Sequence, residues 1–223
     1  GSQLDKHKYA WLLNAAMNDG AQIINLSASS HSHSDELKWT IARSMSQGVI
    51  ITAAVGNDAQ DDNDAALSKW SGVVGVSAIG VDSARQDYSS WGQGVTVAAI
   101  GGPLSVHDYG TGRVAQVSGT SVSAPIVAGV LALARQKWPN ATSNQLLQLL
   151  THTARTDQGG WNKYIGYGGA DPGAMVNTDP SQYPDENPLM DKGYSDLGPT
   201  NEESQQYLAG LVDPRRIAGD PTY

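Results

Sequence analysis

The sequence predicts an α/β fold with a mainly parallel sheet, and three observations along its 223 residues carry that prediction. Short apolar runs rich in β-branched residues alternate with stretches of helical spacing. With 39% hydrophobic residues the chain can bury a sizeable core, and its 25 glycines and 16% charged residues exclude a coiled coil or long helical array. No apolar run is long enough to cross a membrane as a helix. With no cysteine, disulfides, thiol catalysis and Cys-ligated zinc drop out together.

Taken in order, Tyr9, Leu12, Leu13, Ala16 and Met17 recur at helical spacing and Gly20 stands at a C-cap position, predicting a helix over about 5–19. Ile23–Leu26 and Val49–Ala54 read as strands buried on both faces, because their apolar residues do not alternate with polar ones. Between them Ser34 caps a helix that turns Leu37, Ile41 and Met45 inward and ends at Gly48. Val73–Ile79 and Val95–Ile100 are further strands bounded by glycine. A small-residue helix follows from about Ser121 to Trp138, stopped by Pro139, and another from Ser143 to about His152, with Thr142 and Gln145 as a capping box. Strands separated by helices imply right-handed crossovers and a covered sheet. No internal repeat is visible.

Charge divides the chain. The formal net charge is −8, and six of those negative charges lie beyond Asn177, where nine acidic residues face Lys192, Arg215 and Arg216. An acidic chain lacks the basic stripe that a nucleic-acid surface needs. The same stretch holds six of the ten prolines, so residues 177–223 read as an extended linker or wrapping segment beside a body of residues 1–176. Thr200 and Glu203 form a capping box for one short helix there.

Chemistry concentrates in three segments. In Gly119-Thr120-Ser121-Val122-Ser123-Ala124-Pro125-Ile126-Val127-Ala128-Gly129 a serine stands in the first turn of a helix, where free N–H groups and the positive dipole end stabilise an anion. Gly119 permits close approach by a substrate, and Pro125 is expected to fit the first helical turn, where no N–H is needed. On position alone Ser121 is an ordinary helix cap. The second segment, Ala53-Ala54-Val55-Gly56-Asn57-Asp58, puts an amide at the carboxyl end of a buried strand, where α/β sheets bind ligands. The third is Ile24-Asn25-Leu26-Ser27-Ala28-Ser29-Ser30, which fits a strand edge able to pair with an extended peptide.

The eleven residues from Gly119 resemble, with no departure, the serine motif of the subtilisin-like serine proteases, the subtilases of peptidase family S8. The Asn57 segment resembles their A-A-G-N run with Val55 among the small residues, and Ser27–Ser30 resembles the substrate strand with Ala28, Ser29 and Ser30 in place of its Leu and glycine pair. The resemblance covers roughly residues 8–176. It implies a three-layer subtilisin-like fold and a serine endopeptidase working through an acyl-enzyme, with Ser121 as nucleophile and Asn57 in the oxyanion hole. By the same resemblance Ser27, Ala28, Ser29, Ala54, Val55, Gly56, Gly119 and Thr120 contact a polypeptide substrate. A secreted or cell-surface location also follows from the resemblance, although no targeting signal is present in the chain.

Two motifs of that family are missing. Its aspartate lies in D-T/S-G and its histidine in H-G-T, both before the serine, and neither occurs in this sequence. None of His7, His31, His33, His107 and His152 fits the histidine motif, and Asp82-Ser83 follows Asn57, in the wrong order. The chain therefore reads as the later part of a catalytic domain whose N-terminal strands and helices are missing. It is expected to be inactive alone, to complement that missing part, and to associate with itself through an exposed sheet edge. A noncatalytic peptide-binding pseudoprotease is the alternative. An α/β-hydrolase is excluded, because Ser123 stands where G-x-S-x-G requires its second glycine. Asp58, Asp61, Asp62, Asn63 and Asp64 read as a solvated loop with calcium as the alternative, no other metal being expected. Asp58 beside the Asn57 segment would favour a cationic residue at the cleaved bond.

Overall fold

A computed structural model describes residues 3–28, 34–61, 67–108, 110–157, 159–193 and 197–212. Four strands, β1 (Ile23–Leu26), β2 (Ile50–Ala54), β3 (Val73–Ile79) and β4 (Val97–Ile100), form one parallel sheet in chain order. Asn25 pairs with Thr52, Ala53 with Gly75 and Ala78 with Ala99. β2 and β3 are buried at every position, as their unalternating sequences require. On one face α3 (Thr120–Lys137) and α4 (Ser143–Thr153) pack Val127, Leu131, Leu146 and Leu149 against Val74, Val76 and Val97. On the other, α1 (Gln3–Asn18) and α2 (Asp35–Ser46) bring Leu13, Leu37 and Ile41 onto Ile51, Ala53 and Val73. The arrangement is the three-layer one expected, with β1 as an edge strand among the described residues.

Three features depart from the sequence reading. Among the described residues only β1 and β2 are joined through an α-helix; the described part of the β2–β3 connection holds a 3₁₀ turn at Leu67–Lys69, and β3 reaches β4 with no helix. A two-stranded antiparallel hairpin, β5 (Leu104–Asp108) and β6 (Arg113–Val117), precedes α3. Its turn is held by the Asp108 carboxylate, which accepts from Gly110 N–H at 2.9 Å and from the Thr111 hydroxyl at 2.6 Å. A short helix, α5 (Pro172–Asn177), starts where Asp171 accepts from Ala174 N–H.

The described residues after Asn177 pack against the body. Thr142, the cap of α4, donates to the Asp185 carboxylate at 2.6 Å, and Gln148 donates to the Glu186 carbonyl at 2.9 Å. The helix expected from Thr200 is α6 (Asn201–Leu208), and Lys38 of α2 reaches its Glu203 at 2.7 Å.

Candidate active site

The loop leaving β2 and the first turn of α3 meet at the carboxyl end of the sheet. Asn57 and Thr120 fasten them. The Asn57 Oδ1 accepts from Thr120 N–H at 2.7 Å and from the Thr120 hydroxyl at 2.9 Å, and the hydroxyl oxygen in turn accepts from Gly56 N–H at 3.2 Å. With Oδ1 committed twice, the Asn57 amide nitrogen has a fixed direction. It points to the side of Gly119 where the Ser121 hydroxyl lies: a Cβ at Gly119 would stand 3.2 Å from Asn57 Nδ2 and 3.0 Å from Ser121 Oγ. Gly119 has φ +145°, which side chains rarely tolerate, so the conformation requires glycine, and an added Cβ would press on both polar atoms. Ser121 is the second residue of α3, and its N–H belongs to the first turn, where no helical carbonyl is available to accept it.

Ser27, Ala28, Ala54, Gly56, Asn57, Asp58, Thr120 and Ser121 line a single cleft of about 170 Å³. Seven of the expected site residues therefore converge. Gly119 forms the backbone joint beside the cleft, and Val55 is buried behind it with its N–H on the Val76 carbonyl at 3.2 Å. Ser29 lies outside the described residues. Asp58 joins the lining, as its place after Asn57 in sequence allows.

Two supports were not foreseen. Pro125 lies in the second turn of α3, which begins at Thr120, and not in the first turn as expected. Its missing N–H and its ring both act on the carbonyl four residues back, that of Ser121. The freed carbonyl accepts from the Ser27 hydroxyl at 2.8 Å. Below it, the Tyr88 hydroxyl donates to the Gly101 carbonyl at 2.7 Å, and the same carbonyl accepts from Gly119 N–H at 2.8 Å. Burial raises the pKa of Tyr88, with the Gly119 N–H opposing it.

Among the described residues no histidine lines the cleft. His107 is on the exposed hairpin, and His152 of α4 stacks on Tyr183 at 4.7 Å between ring centres. His31 and His33 lie outside the described residues, while Asp82 accepts from Ala84 N–H in the turn after β3. Of the acidic loop, Asp61 pairs with Lys163 at 2.6 Å, and Asp62 and Asp64 lie outside the described residues.

The profile of the subtilase family matches residues 1–168 of this sequence. The chain belongs to the subtilase family. Among curated relatives of this subtilase, a "Thermostable alkaline protease" of Halalkalibacterium halodurans is 34% identical over 140 residues, 62% of this chain and 38% of that protein. The "M-protease" of Shouchella clausii is 33% identical over 150 residues, covering 67% of this chain and 38% of that one. Among solved structures, fervidolysin from Fervidobacterium pennivorans, described as a keratinolytic enzyme related to subtilisin, superposes with a TM-score of 0.68 at 27% identity. That match covers 78% of this chain and 29% of fervidolysin. The subtilase chain thus spans 38% of the length of each of the two curated relatives.

Proposed function

We propose that this subtilase forms the nucleophile half of a serine endopeptidase. The Ser121 hydroxyl attacks the scissile carbonyl and forms the acyl bond, its proton passing to a general base that then protonates the leaving amine. The negative charge on the tetrahedral oxygen is met by Asn57 Nδ2–H and the Ser121 N–H. Water then hydrolyses the ester to regenerate Ser121. An extended substrate lies along Ser27 and Ala28. The observation that carries this reading is the double commitment of Asn57 Oδ1 to Thr120, which leaves the amide donor on the side of Ser121.

The base comes from a polypeptide segment bearing the family's aspartate and histidine motifs, docked at the edge that β1 forms among the described residues. α3, which packs on β1, exposes Ile126 and Leu133, apolar side chains suited to such a segment. Homotypic association through the same edge is expected in its absence. By its resemblance to the subtilases, the whole enzyme would work outside the cell or at its surface.

Labelling of Ser121 by a small fluorophosphonate tests the reading. The chain alone should react slowly, and a co-expressed segment carrying both motifs should accelerate labelling strongly. Peptide binding without acceleration would favour the noncatalytic peptide-binding reading, which the absence of histidine from the described cleft supports. Rapid labelling of the chain alone would overturn the need for a second segment.

A further inference from the structure

A line of hydrogen bonds runs from the interior of the sheet to the backbone of Ser121. Its direction is fixed by chemistry. The Ser121 carbonyl can only accept, so the Ser27 hydroxyl must donate its single proton there, at 2.8 Å. The Ser27 oxygen is then left as an acceptor, and it is met by the Asn25 amide NH₂ at 2.9 Å. That orientation turns Asn25 Oδ1 toward β2, where the Thr52 hydroxyl donates to it at 3.1 Å. Thr52 is fully buried and pairs with Asn25 across the β1–β2 ladder, so the line starts from a rigid point. It ends on the one carbonyl in the first turn of α3 that Pro125 deprives of a helical donor.

We infer that Ser27 and Asn25 are positioning residues for Ser121: they take over the carbonyl that Pro125 frees and thereby fix the backbone from which the nucleophile and its oxyanion N–H project. This rests on the reading of Ser121 as the nucleophile. Ser27 acts here through its side chain on Ser121, a role separate from main-chain pairing with substrate. A proline in the second turn would otherwise leave an unpaired carbonyl at the site and a first turn free to tilt.

The chain of 223 residues, labelled with ¹³C in its serine carbonyls, allows two readouts in the same samples: the Ser121 carbonyl shift and the rate of fluorophosphonate labelling. Ser27→Ala should move the shift toward that of a carbonyl without a donor and slow labelling about fivefold. Asn25→Asp keeps the shape but presents only acceptors at neutral pH. It should draw the Ser27 proton away from Ser121 and give the same two changes with Ser27 intact. Pro125→Ala returns an N–H to the helix and should largely cancel the effect of Ser27→Ala, a coupling that loss of generic stability does not produce. An unchanged Ser121 shift in both Ser27→Ala and Asn25→Asp, or additive effects with Pro125→Ala, would overturn the proposal. Absence of labelling at Ser121 with or without the complementing segment would count against the nucleophile reading alone, because the carbonyl shift decides the positioning bond independently.

Discussion

At Asn57 one oxygen serves two donors of the same residue, Thr120, and this allows the amide donor to be tested separately from the loop it anchors. Asn57→Asp keeps an acceptor for Thr120 and replaces the N–H₂ by oxygen. In the complemented enzyme kcat should fall with KM little changed, by the order of 10²–10³ known for subtilisin itself when its oxyanion Asn is lost. A kcat within a few-fold of the parent would remove Asn57 from the oxyanion hole. Gly119→Ala is a different kind of lesion. Its backbone at φ +145° and the contacts of the added Cβ with Ser121 Oγ and Asn57 Nδ2 predict a stability loss of about 1–3 kcal/mol in urea unfolding, together with loss of labelling. That Ser121 and Asn57 meet at one cleft is legible in the sequence because each sits inside a run whose residues all serve the same local geometry. The role of Pro125 is not. Its meaning depends on Ser27, 94 positions before Ser121, and no local pattern carries a tertiary bond of that kind.

Elements with strong local signals appear where the sequence put them. β2 and β3 are unalternating and wholly buried, and the capping boxes at Thr142 and Thr200 both form with their reciprocal side chains. The β5–β6 hairpin has a weak sequence signal although its turn holds Asp108, Gly110 and Gly112, because its strands carry mixed polar and apolar residues and only partly face a core. Its pairing is set by the turn and by cross-strand register, to which hydrophobic periodicity is blind. The α4 cap also shows how one side chain can serve two elements. Thr142 bonds Gln145 N–H within the helix and donates to Asp185 of the wrapping segment. Thr142→Ala should therefore cost about 1–2 kcal/mol in chemical denaturation, above the usual loss for a cap alone, while Asp185→Ala should cost less. Equal losses for the two would mean that the cap bond within α4 contributes nothing of its own.

Over the whole molecule the acidic C-terminal stretch joins the body through polar ties and through Leu189 and Leu197, which pack into the two cores as single apolar residues that its composition does not mark. Lys192 is a buried polar tie of this stretch. The residue is only 8% exposed, and its ammonium donates to the carbonyls of Ser68, Val73 and Gly94, one from the 3₁₀ turn, one from the start of β3 and one from the loop before β4. The neighbouring Asp191 carboxylate is engaged by Gly193 N–H. Burial pushes the Lys192 pKa down to about 7. In the unfolded chain the amine titrates near its ordinary value of about 10.4, so between pH 7 and 10 the unfolded state holds the extra proton. Stability must then rise with pH across that window, by at most about 1.4 kcal/mol per unit from this group, and be insensitive to it below the folded pKa. Lys192→Met should remove that slope and also lower stability at neutral pH by about 2–4 kcal/mol, because three buried carbonyls lose their donor. Urea unfolding at several pH values, on the parent and on Lys192→Met, separates the two effects. Parallel pH profiles for both proteins would show that Lys192 keeps its ordinary pKa, and that the three carbonyls compensate the ammonium for the loss of water.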